Sequence, residues 1–280
     1  IAASSLKKGV IRKNGYGFFQ SLVLLFRYRP DIVVGFGSFH SFPILLAALL
    51  FRKKIVLFEA NTTLGKVNRW FSPFSCQIAA QFPHKKGVLT PLFPWKEPPK
   101  ISQQEALGYF GLSLKIPTLL IFGGSQGALF FNQMATDLIG ELERRGFPLQ
   151  AIVLTGSGVR GQSLKSSERL SIKSFEPEME KAYRAADLVL ARAGASTVGE
   201  IISFEKPSLL IPFPFSSEEH QRKNGEFFER EVKGGRVLLE IHAHLEKVAD
   251  EIIDLLKQKK SLEQNIARFK AKQNGREELS

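Results

Sequence analysis

The sequence predicts a parallel α/β protein built from two doubly wound parts, and three observations predict it. Short apolar runs of strand length alternate with longer helical patterns, as in βαβ units. Several of these runs lead straight into glycine-rich turns that open helices. A proline-dense segment divides the chain, and 280 residues suffice for two cores.

The elements follow in order. The first thirty residues read as a basic loop and an amphipathic helix, where a doubly wound domain would open with a strand and a glycine turn. The N-terminal domain is therefore expected to be incomplete. Asp31–Gly35 and Lys54–Phe58 read as buried strands, with a helix over Phe42–Phe51 between them. Pro91–Pro99 carries four prolines in nine residues, and proline fixes φ and removes a donor, so this segment reads as a linker. Beyond it, Thr118–Phe122, Gln150–Leu154, Leu188–Leu190 and Ser208–Ile211 read as buried strands, and Gly234–Leu239 as the last. One or two amphipathic helices are expected over 244–270, with polar, frayed residues after them. The expected boundaries are 1–95 for the N-terminal domain, 96–265 for the C-terminal domain and 266–280 for a tail.

Composition narrows the function classes. Hydrophobic residues make up 44% of the chain and the mean hydropathy is -0.06, values of an ordinary globular protein. The longest apolar run, Ser41–Phe51, falls short of the roughly 20 residues a spanning helix needs. No signal-peptide pattern opens the sequence. The lone Cys76 excludes an internal disulfide and a multi-cysteine zinc site and fits a reducing compartment. Cys76, His84 and His220 make no metal-ligand spacing, so neither metal nor cofactor is expected. Residues 1–100 hold 15 Lys and Arg against 3 Asp and Glu, so the whole surplus of +12 lies there. A basic, Phe-rich segment beside a neutral one points to an anionic partner for the first third alone. Without a helix-turn-helix, zinc-finger or RRM signature, a lipid surface is favoured over nucleic acid. Phe18, Phe19, Leu22, Leu25 and Phe26 form an apolar stripe beside Arg27 and Arg29, facing either a membrane or the core.

Three motifs carry chemistry, each after a strand. Gly123-Gly-Ser-Gln-Gly-Ala128 joins a buried strand to a helix; its glycines allow close backbone approach, and the helix dipole favours an anion. Without Gly-Lys-Ser/Thr it is no P-loop, and it is no GxGxxG fingerprint. A diphosphate is the natural occupant, with a plain tight turn as the alternative. Ala191-Arg-Ala-Gly-Ala-Ser-Thr-Val-Gly-Glu200 sets Ser196 and Thr197 at a helix start and Glu200 a turn later. A carboxylate there can hold the paired hydroxyls of a ribose; alternatively Ser196 is an N-cap and Glu200 a partner to free amides. Ile211–Gln221, followed by Asn224, is a proline-stiffened strand end running into a helix. In open parallel sheets ligands sit beyond the carboxyl ends of strands, where all three motifs fall. In the first part, Phe58–Gly65 brings Glu59 and Asn61 to a strand end, as sugar contacts or as loop and cap elements.

Together these residues resemble the MurG family, the UDP-N-acetylglucosamine transferases that make lipid II in peptidoglycan synthesis. The likeness runs along essentially the whole chain and is densest at Gly123–Ala128 with Asn132, at Arg192–Glu200 and at Lys206–Asn224. It implies a GT-B fold, two doubly wound parallel-sheet domains facing across a cleft. It implies that Gly124, Ser125, Gln126 and Gly127 bind the diphosphate of UDP-GlcNAc. Arg192, Gly194, Ala195, Ser196 and Thr197 would line the nucleotide pocket, Glu200 would hold the ribose, and Phe175 would pack on uracil. Gln221 and Asn224 would contact the sugar from one side and Asn61 from the other. An undecaprenyl-linked acceptor, an anionic membrane surface and the cytoplasmic face of the bacterial inner membrane follow from the same likeness. The chain departs from the family at Phe93, where an interdomain Arg is usual, at Phe58 and Ala60 around Glu59, and at Ser38 and Phe39. The family's first glycine loop would precede Ile1 and is the expected source of the base, with Glu59 the acidic candidate among the N-terminal motifs present. Another UDP-sugar transferase acting on a lipid, an inactive nucleotide-sugar binder and a nucleic-acid module are the competing readings.

Overall fold

A computed structural model describes residues 8–84, 87–92, 101–124, 127–157 and 166–277. The chain divides into two compact units, Ile1–Thr90 and Pro91–Ser280. Of the proline-dense linker, 93–99 lie outside the described residues, as do Phe93, Ser125 and Gln126.

The first unit runs α1 (Lys8–Tyr28), β1 (Ile32–Gly35), α2 (Phe42–Leu50), β2 (Lys54–Glu59), α3 (Lys66–Phe71), β3 (Gln77–Ala80) and β4 (Val88–Leu89). The strands form one parallel sheet in the order β1-β2-β3-β4. Leu45, Ile55, Leu57 and Val67 sit at the centre of its core. The apolar stripe of α1 splits between two faces. Leu25 is buried and Phe18 and Leu22 pack on the core, whereas Tyr16, Phe19, Val23 and Phe26 are exposed. Spacing alone could not separate the two faces because both are apolar.

The second unit runs α4 (Gln103–Tyr109), β5 (Thr118–Phe122), α5 (Leu129–Arg144), β6 (Gln150–Leu154), β7 (Leu170–Lys173), α6 (Met179–Ala185), β8 (Leu188–Ala191), α7 (Ala195–Ser203), β9 (Ser208–Leu210), α8 (His220–Phe227), β10 (Gly235–Val237), α9 (Leu245–Lys257) and α10 (Lys259–Glu277). Its six-stranded sheet is parallel throughout, in the order β10-β9-β8-β5-β6-β7. Every residue of β5, β6 and β8 is buried, as a sheet covered on both faces requires. The expected tail from 266 is instead the continuation of α10, because Ile266 is fully buried where Gly234 leaves room for it.

The winding reverses between β5 and β8. From β5 the chain steps outward through β6 to β7, then returns to pair β8 with the other edge of β5. Such a switch point leaves a crevice at the carboxyl ends of the two strands. Phe122 and Ala191, the ends of β5 and β8, pair in register there.

Candidate functional site

The first half of the site is the corner after β5. A methyl on Gly123 would lie 2.3 Å from the Ala128 Cβ and 2.5 Å from its backbone nitrogen. Gly124 and Gly127 stand at φ +88° and +77°, closed by a 2.9 Å bond from the Gly127 amide to the Gly124 carbonyl. Only glycine satisfies both conditions. Ala128 then occupies the N-cap of α5, with no acidic residue in the first turn. Its methyl accepts no hydrogen bond, so the positive end of a 16-residue helix is directed at whatever lies beyond the turn.

The second half is the corner after β8. Gly194 is the N-cap of α7, with Ala195, Ser196 and Thr197 following it in the first turn. The cap is thus a glycine, and Ser196 is not the capping residue. Glu200 comes one turn on, and its Oε2 accepts a 2.6 Å hydrogen bond from the Tyr183 hydroxyl.

Two cavities meet at Gly124. One, of about 240 Å³, is lined by Phe175, Ser196, Thr197, Glu200 and Glu176. The other, of about 700 Å³, is lined by Gly127, Gln133, Arg192, Phe213, Gln221 and Glu240. The glycine corner is their common wall. The smaller cavity offers a flat aromatic ring, two hydroxyls and two carboxylates, and the larger offers backbone and polar side chains.

Local packing explains how each side chain is presented. Phe175 is 63% exposed, whereas its neighbour Glu176 is buried. Glu176 accepts from the Lys173 ammonium at 2.7 Å, the Glu178 amide at 2.9 Å and the Tyr109 hydroxyl at 3.3 Å. Burial opposes charge on Glu176, but these donors outweigh it and hold the carboxyl below its usual range. Arg192 is buried; it pairs with Glu240 at 2.5 Å and donates to the Ile211 and Pro212 carbonyls. Its guanidinium also lies over Phe131 at 5.0 Å and Phe213 at 5.5 Å. It ties the loop after β9 to α5 while forming one wall of the larger cavity. Gln221 is held by a 2.9 Å bond from the Phe213 amide to its Oε1. Asn224 is fully buried, donates to the Ala193 carbonyl and does not line either cavity. Asn132, another motif residue, braces the site from within by donating to the Thr155 carbonyl at 3.1 Å.

In the first unit, Glu59 is 4% exposed and accepts four hydrogen bonds. They come from the Asn61 amide and side chain, the Gly65 amide and the Asn68 side chain, at 2.9–3.0 Å. A carboxylate has about four acceptor positions, so Glu59 is saturated. It organises its loop and orients Asn61, and in this arrangement it has no acceptor position left for a substrate proton. Sequence reasoning missed Tyr183, Glu176 and Glu240, whose partners Glu200, Tyr109 and Arg192 come from other elements.

The glycosyltransferase family 28 C-terminal domain matches residues 118–279, and the family 28 N-terminal domain matches residues 7–80. The solved structure of Acinetobacter baumannii MurG superimposes with a TM-score of 0.70 at 23% identity, over 95% of this chain and 77% of that one. The class is therefore a family 28 glycosyltransferase with the GT-B fold. Two relatives narrow it, both UDP-N-acetylglucosamine–N-acetylmuramyl-(pentapeptide) pyrophosphoryl-undecaprenol N-acetylglucosamine transferases. That of Protochlamydia amoebophila is 40% identical over 85% of this chain and 65% of its own length. That of Aquifex aeolicus is 33% identical over 84% of this chain and 69% of its own. The chain belongs to the MurG family. It spans just under two thirds of the Protochlamydia protein.

Proposed function

We propose that the protein transfers N-acetylglucosamine from UDP-GlcNAc to the C4 hydroxyl of the muramyl sugar of an undecaprenyl-pyrophosphoryl acceptor, with inversion at the sugar carbon. The observation that carries this reading is the glycine corner standing between a small cavity lined by Phe175, Ser196, Thr197 and Glu200 and a larger polar one. The activity named for the relatives supplies the donor and the acceptor. In the transfer the bond from the sugar to the β-phosphate breaks, a bond to the acceptor oxygen forms, UDP leaves and the hydroxyl proton passes to a base. Negative charge grows on the diphosphate, and the positive end of the α5 dipole would stabilise it there. Fixed donors of this kind contribute about 10²–10³ in rate each.

The exposed face of α1 supports a membrane-bound acceptor. Tyr16, Phe19, Val23 and Phe26 recur at helical spacing, with the Arg29 guanidinium 5.8 Å from the Phe26 ring. Apolar side chains beside arginines suit the surface of an anionic leaflet, where each basic residue adds about 1 kcal/mol. On this reading the protein is peripheral, at the cytoplasmic face of a bacterial inner membrane. Sedimentation with anionic but not zwitterionic vesicles, weakened by salt, is the expected behaviour.

One observation favours a second reading, a nucleotide-sugar binder without turnover: the saturated Glu59 carboxylate. Radiolabelled UDP-GlcNAc and a lipid-linked muramyl acceptor separate the two. Labelled product supports the transferase. Calorimetric binding of UDP-GlcNAc without product selects the binder, and absence of both removes the nucleotide-sugar site altogether.

A further inference from the structure

Tyr183 is fully buried, yet its hydroxyl reaches Glu200, the carboxylate that lines the smaller cavity from α7. The ring is stacked on Phe204 at 5.0 Å and 6°, and stands edge-on to Phe122 at 6.1 Å and 88°. Phe122 is the last residue of β5, directly before the glycine corner, and Phe204 caps the carboxyl end of α7. The phenol is therefore clamped between the two elements that form the two halves of the site. Burial, and then the charge of Glu200, push it well above the ordinary phenol range, so it keeps its proton and stays a donor.

We propose that Tyr183 is a positioning residue that fixes the Glu200 carboxylate for the paired hydroxyls of a ribose and so sets a preference for ribo- over 2′-deoxyribonucleoside diphosphates. The proposal rests on the nucleotide-site reading given above. A glutamate on a helix face samples several rotamers, and freezing them on binding carries an entropic cost. A hydrogen bond to a carboxylate in a desolvated setting removes that freedom before the ligand arrives. The geometry goes beyond packing, because an apolar ring of the same size would fill the space between Phe122 and Phe204 equally well.

The test is calorimetric titration of UDP and 2′-deoxy-UDP into the full chain and into Tyr183→Phe, with thermal melts alongside. Phenylalanine keeps both ring contacts and removes only the donor. The wild-type chain is expected to prefer UDP by about tenfold, the worth of one hydrogen bond to a charged group. In Tyr183→Phe that preference falls to about threefold or less, with 2′-deoxy-UDP binding nearly unchanged. Glu200→Gln is expected to lose the preference too, and the double variant to lose no more than Glu200→Gln alone. A Tyr183→Phe chain that keeps the wild-type ratio, or weakens both nucleotides equally, overturns the positioning role and leaves the nucleotide site standing. A wild-type chain that binds neither nucleotide, or binds both alike, overturns the ribose-site reading and the proposal with it.

Discussion

The two glycine corners of this chain begin alike and end differently. After β1, Gly35 and Gly37 turn the backbone toward α2, and after β5, Gly123, Gly124 and Gly127 turn it toward α5. The first corner is filled from within. Gly37, at φ +73°, backs on to the Asn68 amide, which donates to Glu59, and Ser38 accepts the His40 amide. The second corner ends in a methyl-bearing cap, with a cavity on each side of Gly124. Strand, glycines and helix therefore make either a packing joint or a ligand site. What decides is whether the chain's own side chains consume the donors the turn exposes.

The largest expected effect lies at the open corner. Gly123→Ala forces a methyl into Ala128 backbone, which cannot give way without rebuilding the turn. UDP affinity is expected to fall by about 100-fold, as for loss of preorganised anion donors. Gly108→Ala, where an added methyl meets nothing within 4 Å, is the matched control and leaves affinity unchanged. Equal affinities for the two variants would show that the corner after β5 is no ligand site.

At the closed corner the expected damage is to stability. Glu59→Gln turns a donor group toward donors, leaving at least one buried amide unpaired in the network around Asn61, Gly65 and Asn68. The denaturation midpoint should fall by an amount equivalent to about 2–3 kcal/mol, with the UDP dissociation constant unmoved. A weakened UDP affinity without lost stability would reverse the roles assigned to the two corners.

What could be read from the sequence follows the same physical line. β5, β6 and β8 stood out because strands buried on both faces are continuous apolar runs. β3, β4 and β7 did not: Gln77 is exposed, β4 has two residues, and only Leu170 of β7 is buried. The motifs at Gly123, Arg192 and Gln221 were legible because glycines and small residues mark close backbone approach. Their division of labour was not. That Asn224 is buried under Ala193, that Arg192 is paired with Glu240, and that Tyr183 holds Glu200 are facts of packing between distant segments. No local spacing encodes them.

Phe175 gives a smaller and more selective test of the smaller cavity. Its exposed ring is expected to stack on a base, a contact worth about 1–3 kcal/mol. Phe175→Ala should weaken UDP binding by about tenfold and leave inorganic pyrophosphate binding at the corner unchanged. If pyrophosphate weakened as much as UDP, Phe175 would be supporting the corner itself and not a base.

The smallest effect concerns a half-buried charge in the second unit that lines neither cavity. Lys206 donates to the Ala186 carbonyl at 2.8 Å, and burial, only partly offset by Asp187, lowers it from 10.5 to about 8. With the folded value below the unfolded one, the unfolded chain binds more protons between those two values, so this lysine destabilises the fold most at low pH. Its penalty shrinks as pH rises from 8 toward 10.5. Lys206→Met removes the penalty and also a hydrogen bond, for a net gain of about 1 kcal/mol at pH 7. Denaturation at pH 7 and at pH 10 should show that gain shrinking as the wild-type lysine loses its proton, with UDP affinity constant throughout. A gain that does not change with pH would mean that the Lys206 side chain is solvated.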